Sequence, residues 1–158
     1  MDKKKNVFIS HYGKDNPKID DLKSLLKGKG YELRDSSVSS KDNKANNPEY
    51  VKQQILKPKI DWAGQLIVLI GEKTHSREFV NWEIEQANKQ GMSITGVYLH
   101  KGKTEDYPLP ENFEKNGTSL TGWNGETVIK ALEGDYNNFQ SPNGEDRSPY
   151  WSGGRSEC

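Results

Sequence analysis

Disulfides, membrane spans and a strong electrostatic field are all missing from this sequence. Its one cysteine, Cys158, is the last of 158 residues. No intrachain disulfide can form, and a reducing, cytoplasmic setting is expected. The longest apolar run, Leu66 to Ile70, is far short of the roughly 20 residues that cross a bilayer. "MDKKKN" is basic, but the "VFIS" after it is too brief for the apolar part of a signal peptide. Lys plus Arg and Asp plus Glu both number 23, so the formal charge is zero. That balance recruits neither nucleic acid nor anionic lipid, and neither is expected as a partner. No G-x-G-x-x-G occurs, which removes the standard dinucleotide fingerprint. "GEKTHS" has the flavour of a phosphate loop, yet Leu66 stands where the motif's first glycine belongs. His11, His75 and His100 lack ligand spacing, and no metal site is read from them. Ser10 and His11 are not a nucleophile pair, because adjacent residues on a strand point to opposite sides.

What is present is an alternation of strand and helix patterns. "NVFISHY" starts apolar and β-branched and breaks into polar residues, as a buried strand does when it ends in an exposed loop. Ile19, Leu22, Leu25 and Leu26 then recur at helical spacing, with Pro17 at the entry and Gly28 or Gly30 at the exit. "YELRD" reads as a second strand, Ser37–Asn47 as a long polar loop, and "PEYVKQQILKPKIDWA" as a helix bent near Pro58. "GQLIVLIG" is apolar at consecutive positions, so both its faces should be covered, as in a parallel sheet between helical layers. A helix over 73–91, a strand "SITGVYLH", an irregular "PLPENFEKNG", a short strand "SLTGW" and a helix "GETVIKALEGDYNNF" complete the pattern. The expected fold is a doubly wound, flavodoxin-like α/β domain with a five-stranded parallel sheet over residues 1–140. Residues 141–158 have no periodicity and are rich in Gly, Pro and Ser, which predicts a flexible tail.

In such sheets ligands sit beyond the carboxyl ends of the strands. Here those ends are "SHYGKD", "RDSS", "GEKTHS" and "HKGK". The helix over 73–91 carries Glu83 and Glu85, nearly opposite each other at about 100° per residue. Val80, Ile84 and Ala87 form the stripe facing the sheet, with Glu83 beside it. Glu85 is expected to face solvent.

Three segments carry a resemblance to the TIR domain family. "VFISHYGKD" resembles its first strand and loop, and "RDSSVSS…NNPEYVKQQI" its second strand and long loop. The most specific segment is "LIVLIGEKTHSREFVNWEIEQA", where Ser76, Phe79 and Glu83 stand in the family's Ser, aromatic and Glu positions. Phe79 replaces a frequent Trp. With Trp82-Glu83-Ile84 the chain is most similar to the TIR-like proteins of bacterial Thoeris anti-phage systems. The likeness spans residues 5–135 and implies NAD as a substrate rather than a cofactor. It makes Glu83 the catalytic carboxylate, stabilising the ribosyl cation as nicotinamide leaves. It assigns Phe8, Ser10, His11 and Tyr12 to the nicotinamide half of NAD, although Phe8 suits a core position equally. Asp35 and Ser36 would meet ribose or phosphate, or Asp35 would cap the loop. Ser76 would be the helix N-cap, and Trp82 either packing or an oligomer contact. The resemblance further implies self-association through TIR–TIR contacts, with loop 37–47 as lid or assembly surface. It also implies a phage-derived trigger and a nucleotide messenger, a cyclic ADP-ribose isomer or an ADP-ribose conjugate, that reaches a separate effector protein. Two other classes stay open: a non-catalytic TIR adaptor that works by assembly, and a flavodoxin-like phosphotransfer regulator. The regulator would need clustered acids after the first strand, where only Asp15 stands.

Overall fold

The structure, a computed structural model, describes residues 3–36 and 56–147. In chain order its elements are β1 (Lys3–Ser10), α1 (Pro17–Lys27), β2 (Tyr31–Asp35), α2 (Lys57–Trp62), β3 (Gln65–Ile70) and α3 (Glu78–Lys89). They continue as β4 (Ser93–Tyr98), α4 (Glu111–Asn116), β5 (Ser119–Thr121), α5 (Gly125–Leu132), β6 (Phe139–Gln140) and β7 (Asp146–Arg147). The sheet order is β2-β1-β3-β4-β5-β6-β7. All pairings are parallel except β6 with β7. The chain steps from β1 to β2 on one side and returns to place β3 on the other. The β1/β3 boundary is therefore the switch point at which such sheets open a crevice.

Consecutive apolar residues feed two cores because strand side chains alternate in direction. Val7, Ile9, Ile67 and Leu69 pack with Ile19, Leu22 and Leu26 of α1 and Val128 and Leu132 of α5. Phe8, Leu66, Val68 and Ile70 pack on the other face, with Ile60 of α2, Val80, Ile84 and Ala87 of α3, and Phe113 of α4. Ser10 follows Phe8 by two residues and so points toward α3.

The sheet has seven strands where the pattern predicts five. Of the extra pair, β6 lies at the end of the stretch read as the last helix and β7 inside the expected tail. Phe139 is buried against Phe113, with ring centroids 5.7 Å apart. Ser141 donates its amide to Glu145 O (2.7 Å), and Gly144 takes φ 86° in the turn between them. Arg147 Nη1 donates to Tyr98 Oη at 3.0 Å. Ser, Pro, Asn and Gly build a tight hairpin as readily as they build disorder. Residues 148–158 of the expected tail, and the whole loop 37–47, lie outside the described residues.

Other boundaries move as well. β1 starts at Lys3 rather than Asn6, because its polar residues pair with β2 from Lys3↔Tyr31 onward. Lys3 and Lys5, two apart on one face, both reach Glu133, at 2.7 and 3.3 Å. The stretch 73–91 splits into a 3-10 turn, Thr74–Ser76, and α3. Thr74, fully buried, accepts the Gly71 amide (2.9 Å) and donates to Leu69 O (3.0 Å). That clasp ends β3 and delays the helix. The last helix stops at Leu132, followed by Gly134 at φ 83°.

Candidate functional site

The crevice beyond β1 and β3 is built from the exit of β1 and the first turns of α3. Ser10 is buried at the last position of β1, where it pairs in register with Val68 of β3. Its hydroxyl donates to Glu83 Oε1 at 2.6 Å. Glu83 is the sixth residue of α3 and only 6% exposed. It is part of the buried stripe with Val80, Ile84 and Ala87, rather than beside it as the helical wheel placed it. Removal from water disfavours the carboxylate and pushes its pKa up to about 8, while the Ser10 hydrogen bond opposes that shift. Glu83 is thus mostly protonated at neutral pH. Glu85 lies on the exposed side and pairs with Lys89 at 3.4 Å, as the wheel predicts.

The start of α3 is held from outside the helix. Its N-cap is Arg77, without a side-chain cap. The expected N-cap Ser76 is exposed instead and its hydroxyl donates to Lys73 O at 3.2 Å. The Thr74 clasp displaces the helix start by one residue and takes the capping position from it. Asn81 Nδ2 donates to the carbonyls of His75 (3.2 Å) and Arg77 (3.3 Å). Asn112 of α4 in turn donates its side-chain amide to Asn81 O at 2.8 Å. These bonds fix the first two turns of α3, and with them Glu83, against both β3 and α4.

The other residues singled out from the sequence divide into two groups. Tyr12 lies at the crevice mouth, its ring centroid 4.0 Å from the Arg77 guanidinium carbon, a stacked cation–π contact. Phe79 is half-buried one turn before Glu83, against the core that contains Phe8. Phe8 is 1% exposed within that core. His11 spends both ring nitrogens locally, Nδ1 at 2.9 Å from Ile9 O and Nε2 at 3.1 Å from Asn16 Oδ1. Asp35 Oδ1 accepts the Ile9 amide (3.3 Å) and Oδ2 lies 3.8 Å from Lys23, so the carboxylate ties β2 to β1. Ser36 donates to Lys59 O at 2.8 Å. Ser10 and Glu83 are in direct contact, with Tyr12 two residues after Ser10 and Phe79 one turn before Glu83. Asp35, Ser36 and Ser76 are engaged with backbone nearby.

Two features of the crevice escaped sequence reasoning. Arg77 stacks on Tyr12 from 65 positions away, and no local signal marks that pairing. Asp15 leans over the end of β3, its Oδ2 buried without a hydrogen-bond partner among the described residues and 3.0 Å from where a Cβ on Gly71 would stand. Burial raises its pKa, with His100, His11 and Lys18 acting in the opposite direction. The glycine after β3 was the available clue, since any side chain there would meet this carboxylate.

A family model described as the Thoeris protein ThsB, TIR-like domain, matches residues 8–104, more than half of the chain. No curated protein matches. Among solved structures, a conserved protein from Enterococcus faecalis V583 is similar with a TM-score of 0.55 at 12% identity, over 86% of this chain and 100% of that one. That likeness is one of fold. The TIR domains of the activated Roq1 resistosome recognising the pathogen effector XopQ align with a TM-score of 0.40 at 18% identity, over 60% of this chain and 57% of that one.

Proposed function

We propose that this chain, which belongs to the family of the Thoeris protein ThsB, TIR-like domain, is an NAD-consuming enzyme that signals during phage infection. It cleaves the bond between nicotinamide and ribose and releases an ADP-ribose-derived messenger, a cyclic isomer or a conjugate, for a separate effector. The observation that carries this reading is the buried Glu83, held by Ser10 at 2.6 Å at the switch point of the sheet. A carboxyl group buried at such a cost to its ionisation is uncommon outside functional sites.

The chemistry follows from that burial. Buried in the fold, Glu83 is mostly neutral, its pKa near 8. A nicotinamide ring in NAD is cationic, and its arrival favours the carboxylate and drives the proton out to solvent. The ionised Glu83 then faces the positive charge that develops on the ribose as the C1′–N bond breaks. The bonding electrons leave with nicotinamide, which departs as a neutral base, so no general acid is required. Ser10 keeps Glu83 in place and donates to its oxygen in either protonation state. Phe79 and Tyr12 supply flat surfaces beside the crevice for the ring.

The test is mass spectrometry of nucleotides after the purified protein, NAD and the trigger are incubated together. Glu83→Gln keeps the shape but removes the charge, and turnover should fall by about 100-fold or more, the scale of one lost preorganised group. Glu85→Gln should stay within a few-fold. Equal turnover in wild type and Glu83→Gln would remove Glu83 from the chemistry, and no turnover in either with the trigger present would leave the reading of a non-catalytic adaptor.

A further inference from the structure

A second concavity lies on the other side of the sheet from Glu83, beyond the ends of β4 and β5. Its volume is about 310 Å³, and Lys101, Gly122, Trp123, Gln140, Asn143 and Gly144 line most of it. None of the residues around Glu83 contributes to it. Trp123 packs on the α1/α5 core, opposite the core under α3. The lining contains a lysine and no carboxylate. Lys101 forms no ion pair among the described residues. Lys18 Nζ, which also pairs with Asp21 at 3.9 Å, lies 5.9 Å from the centre of the Trp123 ring.

The walls are held in place from several directions. Tyr107 Oη donates to Lys101 O at 3.3 Å. Asn143 accepts the Gly102 amide at 3.1 Å and donates to the Gly102 carbonyl at 3.2 Å. Gln140 Oε1 accepts the Gly122 amide at 3.0 Å. The nearby start of α5 is not the anchor, because Asn124 Oδ1 already takes the Thr127 amide at 3.1 Å. The lining therefore combines the positive charge of Lys101 and a half-exposed indole on a fixed frame.

We propose that this cavity binds a nucleoside monophosphate, with the phosphate at Lys101 and the base on Trp123. Charge selects an anion, and the indole offers a face for stacking that an inorganic ion cannot use. Size selects a mononucleotide, since the cavity lies at the lower bound of small-molecule pockets, about 300 Å³. A dinucleotide such as NAD exceeds it.

Adenosine monophosphate is the probe, titrated in phosphate-free buffer against the full chain and followed by calorimetry and tryptophan fluorescence. Saturable binding is expected, at least tenfold tighter than that of adenosine or of inorganic phosphate. Lys101→Glu, at an exposed position, should weaken it by at least tenfold with an unchanged circular dichroism spectrum, and Lys101→Gln by less. Trp123→Phe keeps a flat ring, so binding should persist while the fluorescence change disappears. Glu83→Gln should bind the probe as wild type does, whether or not NAD consumption fails in it. Absence of saturable binding at millimolar probe, equal affinity for phosphate, or indifference to Lys101→Glu would overturn the proposal. So would loss of binding in Glu83→Gln, which would place the probe in the crevice of α3.

Discussion

Glu83 and Glu85 sit two residues apart on one helix, and their surroundings make them different chemical groups. Glu85 is a solvated partner of Lys89, while Glu83 is a buried acid with a pKa near 8. Burial has a thermodynamic consequence. The native state holds the Glu83 proton to higher pH than the unfolded chain, whose value is near 4.5. This contribution to stability is complete below about pH 4.5 and falls away as pH rises to about 8. Melting curves at pH 5 and pH 8 should therefore differ by less in Glu83→Gln than in wild type, and at pH 8 the variant should be the more stable of the two. Equal pH dependence in both proteins would mean that Glu83 is ionised in the native state. Ser10 permits a second measurement. Its hydrogen bond lowers the Glu83 pKa, so Ser10→Ala should move the rising limb of the NAD-cleavage profile to higher pH. The turnover number should drop by more than the Michaelis constant changes. A profile that keeps its position would reduce Ser10 to packing. At this scale the sequence marked both residues, through the motif that holds Glu83 and through the end of an apolar strand at Ser10. It could not show that they touch, because they are 73 positions apart.

Single contacts that cross the sheet decide where elements begin and how closely they pack. Gly96 in β4 has no room for a side chain. A Cβ there would stand 2.7 Å from Phe113 Cζ and 2.8 Å from Leu120 Cδ1. Gly96→Ala should cost about 1–3 kcal/mol in urea unfolding, the scale of overpacking a core. Phe113→Leu in the same chain should recover part of that loss, and strict additivity of the two changes would deny the contact. Near the β2 edge Glu133 accepts from Lys3 (2.7 Å) and Tyr31 (2.9 Å) and pairs with Lys5. Those partners, Lys3 first and Tyr31 next, bring its pKa down to about 2. This contribution has the opposite sign to that of Glu83. It is present above about pH 4.5 and is lost as pH falls toward 2. Glu133→Gln should raise amide exchange along Lys3–Lys5 and Tyr31–Leu33 at neutral pH, with the difference from wild type closing near pH 2. The periodicities of α1, β3 and α3 were legible because each element buries a local stripe. The starts of β1 and α3 and the existence of β6 and β7 were not, because each is settled by a distant partner: β2 for Lys3–Lys5, the Thr74 clasp for α3, and Phe113 and Tyr98 for the hairpin.

At the scale of the whole molecule, the expected self-association makes its own demand. If the crevice is completed by a neighbouring copy, as the resemblance to TIR domains implies, triggered NAD consumption per milligram should rise with protein concentration. Charge reversals within 37–47 should lower it without shifting the melting temperature. Full specific activity in a species shown by sedimentation to be monomeric would exclude assembly as part of the mechanism. No helix among the described residues is long and apolar enough to cross a membrane, which agrees with the short apolar runs. By itself the sequence determined the α/β class, the parallel inner strands and the helix that carries Glu83. Those depend on patterns repeated every two or three to four residues, and burial of one face enforces them locally. Only the tertiary structure decided that Ser10 meets Glu83, that Asp35 braces β1, that Arg77 covers Tyr12 and that residues 139–147 close the sheet edge. Each of these joins groups far apart in the chain, and their protonation and geometry arise from the burial that folding creates between them.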